Sequence, residues 1–476
     1  MATSSTGNKL PNINGLQDAK PRHSLGYRVQ HHVRTAVAAA IAATLVFVDS
    51  ATPLFCRAPP PAATWMDVNG IIKNNSVGVI GQGSLNTDAS IIDPNSGKPI
   101  EFVLIGQDSR DGAENQAIGG SFDDVIGNHQ ADTAMIVQIS ADRKEINLVS
   151  IPRDSLVDVP QCETSKGTIP AQYNVMFNSI FAGAYKTGGD LSSAASCTLN
   201  AVNSLTGLNI QNFIVVDFAG LVKMIDSVGG VDLCIPQNVN DPYTGLNLDK
   251  GMHHLDGVAA TQYARIRHGI GDGSDTSRTT RQQYLIKQLM SEALSKNLFT
   301  DTAQLYQLAK SALKSLNISQ GMADTAALAG LAMSLKNFTM TNLQTQTVPV
   351  VPAPSDPNRS VWTDEADNLW EKMRAGKPIF DTADSNSGDS SDTSSDNSAS
   401  SDDSGTTDSN QSDTTAETPD PVTGLITKSD GTLVDPSTGG TVDPDDGSIH
   451  DATTGQYIGL ADRYLNATVC AVPAKN

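Results

Sequence analysis

Four arginines, Arg265, Arg267, Arg278 and Arg281, fall within the 21-residue stretch YARIRHGIGDGSDTSRTTRQQ (263–283) of a chain whose net charge is −20. Arginine presents a planar fork of donors that pairs with phosphate or carboxylate oxygens two at a time. The cluster therefore either holds an anionic ligand or balances neighbouring acids, with Asp272 and Asp275 the nearest. Three further charged residues stand at the ends of apolar runs. Asp108 follows FVLIG (102–106), Asp132 precedes TAMIVQI (133–139), and Arg153 follows EINLVSI (145–151). Carboxylates of this kind bind hard cations such as Mg²⁺ together with substrate phosphate oxygens. The alternative is that Asp108 caps a turn and Asp132 ends a loop. No phosphate-loop pattern, zinc spacing or Ser-His or Cys-His pair stands out.

The elements that must position these residues follow from periodicity. The three apolar runs read as strands, the second and third joined as a hairpin through 140–144. If the first strand runs parallel to the third, Asp108, Asp132 and Arg153 meet at one sheet edge. Helical patterns cover 172–186, 191–205, 219–228, 256–262, 279–298, 301–336 and 363–374, and FIVVDF (213–218) and GVDLCIP (230–236) read as strands. Strands alternating with helices predict an α/β layered domain. Tyr263, Arg265 and Arg267 alternate and would share one face of a strand. Thr279-Thr280-Arg281-Gln282 has the form of a capping box, placing a helix start near Thr279 with Arg278 and Gln282 at its entrance. Backbone N–H groups at such an entrance favour an anion.

Composition divides the rest. Residues 1–32 form a polar, then basic, leader. Residues 33–55 contain the Ala-rich run VRTAVAAAIAATLVFV, read as a single N-terminal membrane anchor with the N-terminus inside; a cleaved signal peptide is the competing reading. Either places the main domain outside, where Cys162 and Cys197 can pair; Cys234 and Cys470 have no evident partners. Residues 56–101 are a connector and accessory region, and 102–376 the main domain. Residues 377–419, rich in Ser, Asp and Thr, are expected to be a disordered acidic linker. Eleven acids between Lys377 and Lys428 account for more than half of the net charge, so no basic surface suggests nucleic acid. Residues 420–476 repeat an Asp-Pro-x-x-Gly turn and predict short hairpins.

Taken in order, FVLIGQDSRDG (102–112), IPRDSLVDVP (151–160), DFAGLVKMIDSVGGVDLCIP (217–236), LDGVAATQYARIRHGIGDGSDTSRTTRQQ (255–283) and NRSVWTDEADNLWEKMR (358–374) closely resemble LytR-CpsA-Psr (LCP) proteins. The resemblance implies a membrane-anchored, extracytoplasmic three-layer α/β/α sandwich with a mixed central sheet. It implies a Mg²⁺-dependent phosphotransferase that moves a glycopolymer from a polyprenyl-pyrophosphate carrier to peptidoglycan through a phosphodiester link. Carried over, it makes Asp108 and Asp132 the metal-associated pair. Arg153, Arg265, Arg267 and Arg278 become the catalytic arginines, gripping the pyrophosphate together with Gln282 and, more weakly, Arg110. The insert Ala113–Gln130 between the two aspartates is longer than in many members. A non-catalytic lipid- or wall-binding regulator and a polyprenyl-pyrophosphate phosphatase are the alternative functions.

Overall fold

The computed structural model describes residues 74–81, 84–86, 97–109, 114–115, 118, 129–266, 270, 273–295, 313, 316–324, 338–380, 418–453 and 455–471. Arg110, Arg267, the leader and anchor, and residues 381–417 lie outside these. A seven-stranded mixed sheet forms the centre, built from β1 (Ser76–Val77), β2 (Ile100–Asp108), β3 (Gln130–Ile139), β4 (Ile146–Ile151), β5 (Phe213–Asp217), β6 (Leu316–Ser319) and β7 (Leu343–Thr347). Their order is β1-β6-β5-β2-β3-β4-β7. β3 is antiparallel to both β2 and β4, so β2 and β4 point the same way. The end of β2, the start of β3 and the end of β4 therefore share one edge, which carries Asp108, Asp132 and Arg153.

Alternation along the strands sends side chains to two cores. Val103, Ile105, Ile136, Val149 and Phe213 face helices α1 (Phe177–Gly188), α2 (Leu191–Thr206) and a later helix, Asp364–Arg374. Phe102, Met135, Val137, Leu148 and Ile214 form the second core, with Met290 of a long helix, Asp275–Ser295. The fold is thus mixed α/β around a central mixed sheet. The Phe218–Ser227 helix (α3) and the Gly257–Arg265 helix (α4) lie beside the long helix, which we label α5; Asp364–Arg374 is α6.

Three local expectations change. Tyr263 and Arg265 lie on helix α4, not on a strand. Asp256 caps it by accepting from Ala259 N at 2.8 Å, and Ala260, Tyr263 and Ala264 share its buried face at helical spacing. Helix α5 starts one turn before Thr279, where Ser274 Oγ accepts from Ser277 N at 3.1 Å. Thr279 and Thr280 hydrogen-bond back to the Asp275 and Thr276 carbonyls as interior residues. The pattern read as one helix over 301–336 is broken by β6, because Leu316 and Ile318 alternate into the second core beside β5.

The C-terminal residues form an antiparallel five-stranded meander of β8 (Ile426–Thr427), β9 (Leu433–Val434), β10 (Thr441–Val442), β11 (Ser448–His450) and β12 (Tyr457–Leu460). Its Asp-x-x-x-Gly turns put Gly424, Gly439, Gly447 and Gly455 at positive φ, where glycine has no Cβ clash. The meander packs on α5. Lys287 pairs with Asp462 at 2.9 Å, and Tyr284 Oη donates to Asn466 Oδ1 at 2.6 Å. Cys162 is bonded to Cys197. Cys234 and Cys470, without evident partners in sequence, are bonded to each other and tie the meander to the body.

Candidate active site

A cavity of about 390 Å³ opens between the second face of the sheet and helices α3, α4 and α5. Leu104, Met135, Val216, Leu221, Met224, Leu285 and Ile286 are among its apolar lining, and Asp108, Asp132, Asp217, Asp241, Arg265, Arg278 and Gln282 among its charged and polar lining. Gly106 keeps the wall of the cavity open, since a Cβ there would stand 2.9 Å from Thr133 Cβ. Helices α1 and α2 pack on the opposite face of the sheet and fill it with Phe177, Phe181 and Val202.

Asp132 owes its aim to a β-bulge. Gly106 pairs with Thr133 and Gln107 with Ala131, so Asp132 is the extra residue on β3. Its carboxylate accepts from Arg153 Nη1 at 2.8 Å and lies 3.7 Å from Arg278 Nη1. Asp275 completes the group. It accepts from the Arg153 backbone N at 3.0 Å and from Arg278 Nη2 at 2.5 Å, and lies 3.4 Å from Arg153 Nε. Behind them Asp154 contacts both Arg153 and Arg359. Although burial opposes its charge, Asp132 and Asp275 hold the Arg153 guanidinium above its ordinary pKa. Burial pushes the Asp275 carboxyl up, outweighing the opposing pull of Arg278 and Arg153.

Arg265 reaches the same cavity from the end of α4. It donates to the Ile118 carbonyl at 2.9 Å and its guanidinium carbon lies 4.1 Å from the Phe218 ring centroid. Gln282 accepts from Thr133 Oγ1 at 2.8 Å, which fixes its amide against β3. Arg281, in contrast, turns inward to Ser277 Oγ and the Ile266 carbonyl and is 5% exposed. Of the residues singled out from sequence, Asp108, Asp132, Arg265, Arg278 and Gln282 line one cavity, and Arg153 is attached to it through Asp132. Ion-pairing and cavity-lining thus coexist in Arg278. Thr133 and Phe218 carried no charge signal, and only their neighbours in space show what they touch.

Charged, polar and apolar side chains thus line one cavity on a mixed α/β sheet, the usual make-up of a ligand pocket. The chain belongs to the LytR-CpsA-Psr family, whose model, LytR_cpsA_psr, matches residues 71–375. It is 27% identical over 296 residues to the cell wall biosynthesis protein LcpA of Corynebacterium glutamicum, covering 59% of this chain and 56% of that protein. It is 26% identical over 209 residues to the polyisoprenyl-teichoic acid–peptidoglycan teichoic acid transferase TagU of Enterococcus faecalis, covering 44% and 58%. The chain thus spans somewhat over half the length of these relatives. Among solved structures, Bacillus subtilis TagV superposes with a TM-score of 0.43 at 20% identity, covering 58% of this chain and 96% of that one.

Proposed function

We propose that this protein transfers a glycopolymer from a polyprenyl-pyrophosphate carrier to peptidoglycan on the outer side of a membrane to which residues 33–55 anchor it. The observation that carries this reading is the amphiphilic cavity, which Arg265 and Arg278 line together with seven apolar side chains. A diphosphate suits the arginines and a polyprenyl chain suits the apolar part. Family membership supports transferase chemistry, and the two disulfides suit an oxidising exterior.

In this reaction an acceptor sugar hydroxyl attacks the phosphorus that carries the glycan. The bond from that phosphorus to the bridging oxygen breaks and polyprenyl phosphate leaves. Catalysis of such a step is mainly positioning and charge stabilisation. Arg278 and Arg265 bind the phosphate oxygens directly. Arg153 acts with them from behind Asp132, and Arg110 and Arg267, outside the described residues, add to the grip. Gln282, held by Thr133, orients the head group. The hydroxyl proton needs an acceptor: Asp108 lines the cavity and can take it, whereas Asp154 is engaged by Arg153 and Arg359.

The donor set fits Mg²⁺. Asp108 and Asp132 present hard oxygens on one cavity wall, while no cluster of three or more metal-ligating side chains occurs among the described residues. A cation sharing its shell with substrate phosphate needs only that many carboxylates. Bound there, Mg²⁺ would neutralise charge on the phosphate oxygens.

Purified full-length protein in detergent, given a labelled lipid-linked glycan and peptidoglycan fragments, should form the phosphodiester product, with EDTA abolishing it and Mg²⁺ restoring it. Release of phosphate-linked glycan to water alone would indicate a phosphatase. Saturable binding without turnover would indicate a regulator.

A further inference from the structure

A second cavity, of about 410 Å³, lies where the C-terminal meander meets the body, one wall within residues 71–375 matched by the family and the other beyond them. One wall comes from β7, α6 and the segments that follow them, the other from β12 and from the β9–β10 and β11–β12 turns. Gln456 Nε2 donates to the Val350 carbonyl at 3.1 Å across the junction. Together with the Cys234–Cys470 bond and the Lys287–Asp462 pair, this makes the cavity a built feature rather than a chance contact.

Its chemistry differs from that of the arginine site. Gln346, Asn368 and Gln456 line it together with Phe380 and Tyr457. Two carboxylates, Glu365 and Asp451, and one ammonium, Lys372, line it as well. Paired donor and acceptor groups beside aromatic rings suit a ligand that has hydroxyls and amides on one edge and C–H groups on its faces. That is the chemistry of an N-acetylated sugar.

The two cavities share the first turn of α5. Asp275 turns to Arg153 and Arg278, and the next residue, Thr276, lines the second cavity. Successive helical residues diverge by about 100°, so one turn serves both sites, and a helix with its side chains is about 10–12 Å across. A saccharide seated in the second cavity therefore lies against the same helical turn that carries Asp275 and Arg278. We propose that this groove binds the acceptor strand of peptidoglycan. As an acceptor site it rests on the transfer reading above.

The test uses the full-length protein in detergent and the repeating N-acetylhexosamine disaccharide of peptidoglycan as the probe. Asn368→Trp obstructs the groove from an exposed helix position, and Thr438→Trp obstructs it from the opposite wall. Each should weaken disaccharide binding at least tenfold and raise the acceptor KM, while Arg153→Ala leaves disaccharide binding unchanged. Unaltered binding in both groove variants, or no saturable binding to the wild-type protein, overturns the proposal. Phosphodiester product formed from labelled donor and peptidoglycan fragments, read in the same preparations, tests the transfer separately. Its absence in wild type with disaccharide binding intact overturns the transfer and leaves a saccharide site.

Discussion

Arg153 donates from Nη1 to Asp132 at 2.8 Å, joining the end of one strand to a bulge at the start of its neighbour. Arg278 lies on the other side of that carboxylate, and Asp275 closes the group from α5. Each guanidinium is thereby fixed before any phosphate arrives, which lowers the ordering cost of binding. The acids that balance the arginines also aim them.

Removing Arg153 should disable transfer. Arg153→Ala is expected to lower kcat by about 10²–10³, the loss typical of a missing charge-stabilising donor. It also leaves Asp132 and Asp275 under-compensated, at a cost of about 3–5 kcal/mol if the site does not admit water. Arg153→Lys should retain the fold but not the rate, because an ammonium cannot bridge Asp132 and Asp275 as a fork does. Steady-state kinetics beside thermal denaturation separates the two effects; wild-type turnover in both variants would refute the role.

The Asp275 carboxyl sets a pH signature. Burial raises its pKa in the folded state above the ordinary value of about 3.9. Its contribution is fully present below that ordinary value and is lost as pH rises through the higher folded value. Asp275→Asn mimics the protonated form at every pH. The variant's stability relative to wild type should therefore increase from about pH 4 upward, with a plateau above the folded pKa. Melting temperatures of both proteins across that range would reveal the trend, and a difference independent of pH would contradict it.

Gly106→Ala should perturb Gln282 at second hand. The added methyl meets Thr133 Cβ at 2.9 Å, and Thr133 holds Gln282. Overpacking of this sort costs about 1–3 kcal/mol. A loss of activity larger than that of Thr133→Ser, which keeps the hydroxyl, is the expected kinetic result. Equal activity in Gly106→Ala and wild type would show that this contact is slack.

Opening the Cys234–Cys470 bond should loosen the meander before the body. Cys470→Ser is expected to lower stability by about 2–5 kcal/mol, the usual range for a native disulfide. Limited proteolysis should then cut between the meander and α5 while the sheet stays resistant. A cleavage pattern identical to wild type would mean that the Lys287–Asp462 and Tyr284–Asn466 contacts suffice.

The local signals were strong where the chain is regular. Alternation in FVLIG, TAMIVQI and EINLVSI located three neighbouring strands, and their polar flanks located Asp108, Asp132 and Arg153. Ambiguity arose where one pattern served two structures. Tyr263 and Arg265 alternate as on a strand, yet Asp256 caps a helix whose Ala260, Tyr263 and Ala264 bury together. Leu316 and Ile318 were lost in a helical pattern because only β5, distant in sequence, makes them a strand.

By itself the sequence determined the residue types of the site, the strand ends that carry them, the export-compatible cysteines and the family resemblance, since all of these reside in short contiguous patterns. Tertiary structure decided which groups meet. The bulge that aims Asp132, the pairing of Asp275 with Arg153 and Arg278, the Cys234–Cys470 bond and the docking of the meander on α5 each join segments far apart along the chain. Such contacts follow from register and packing of the whole sheet, which no local window of residues contains.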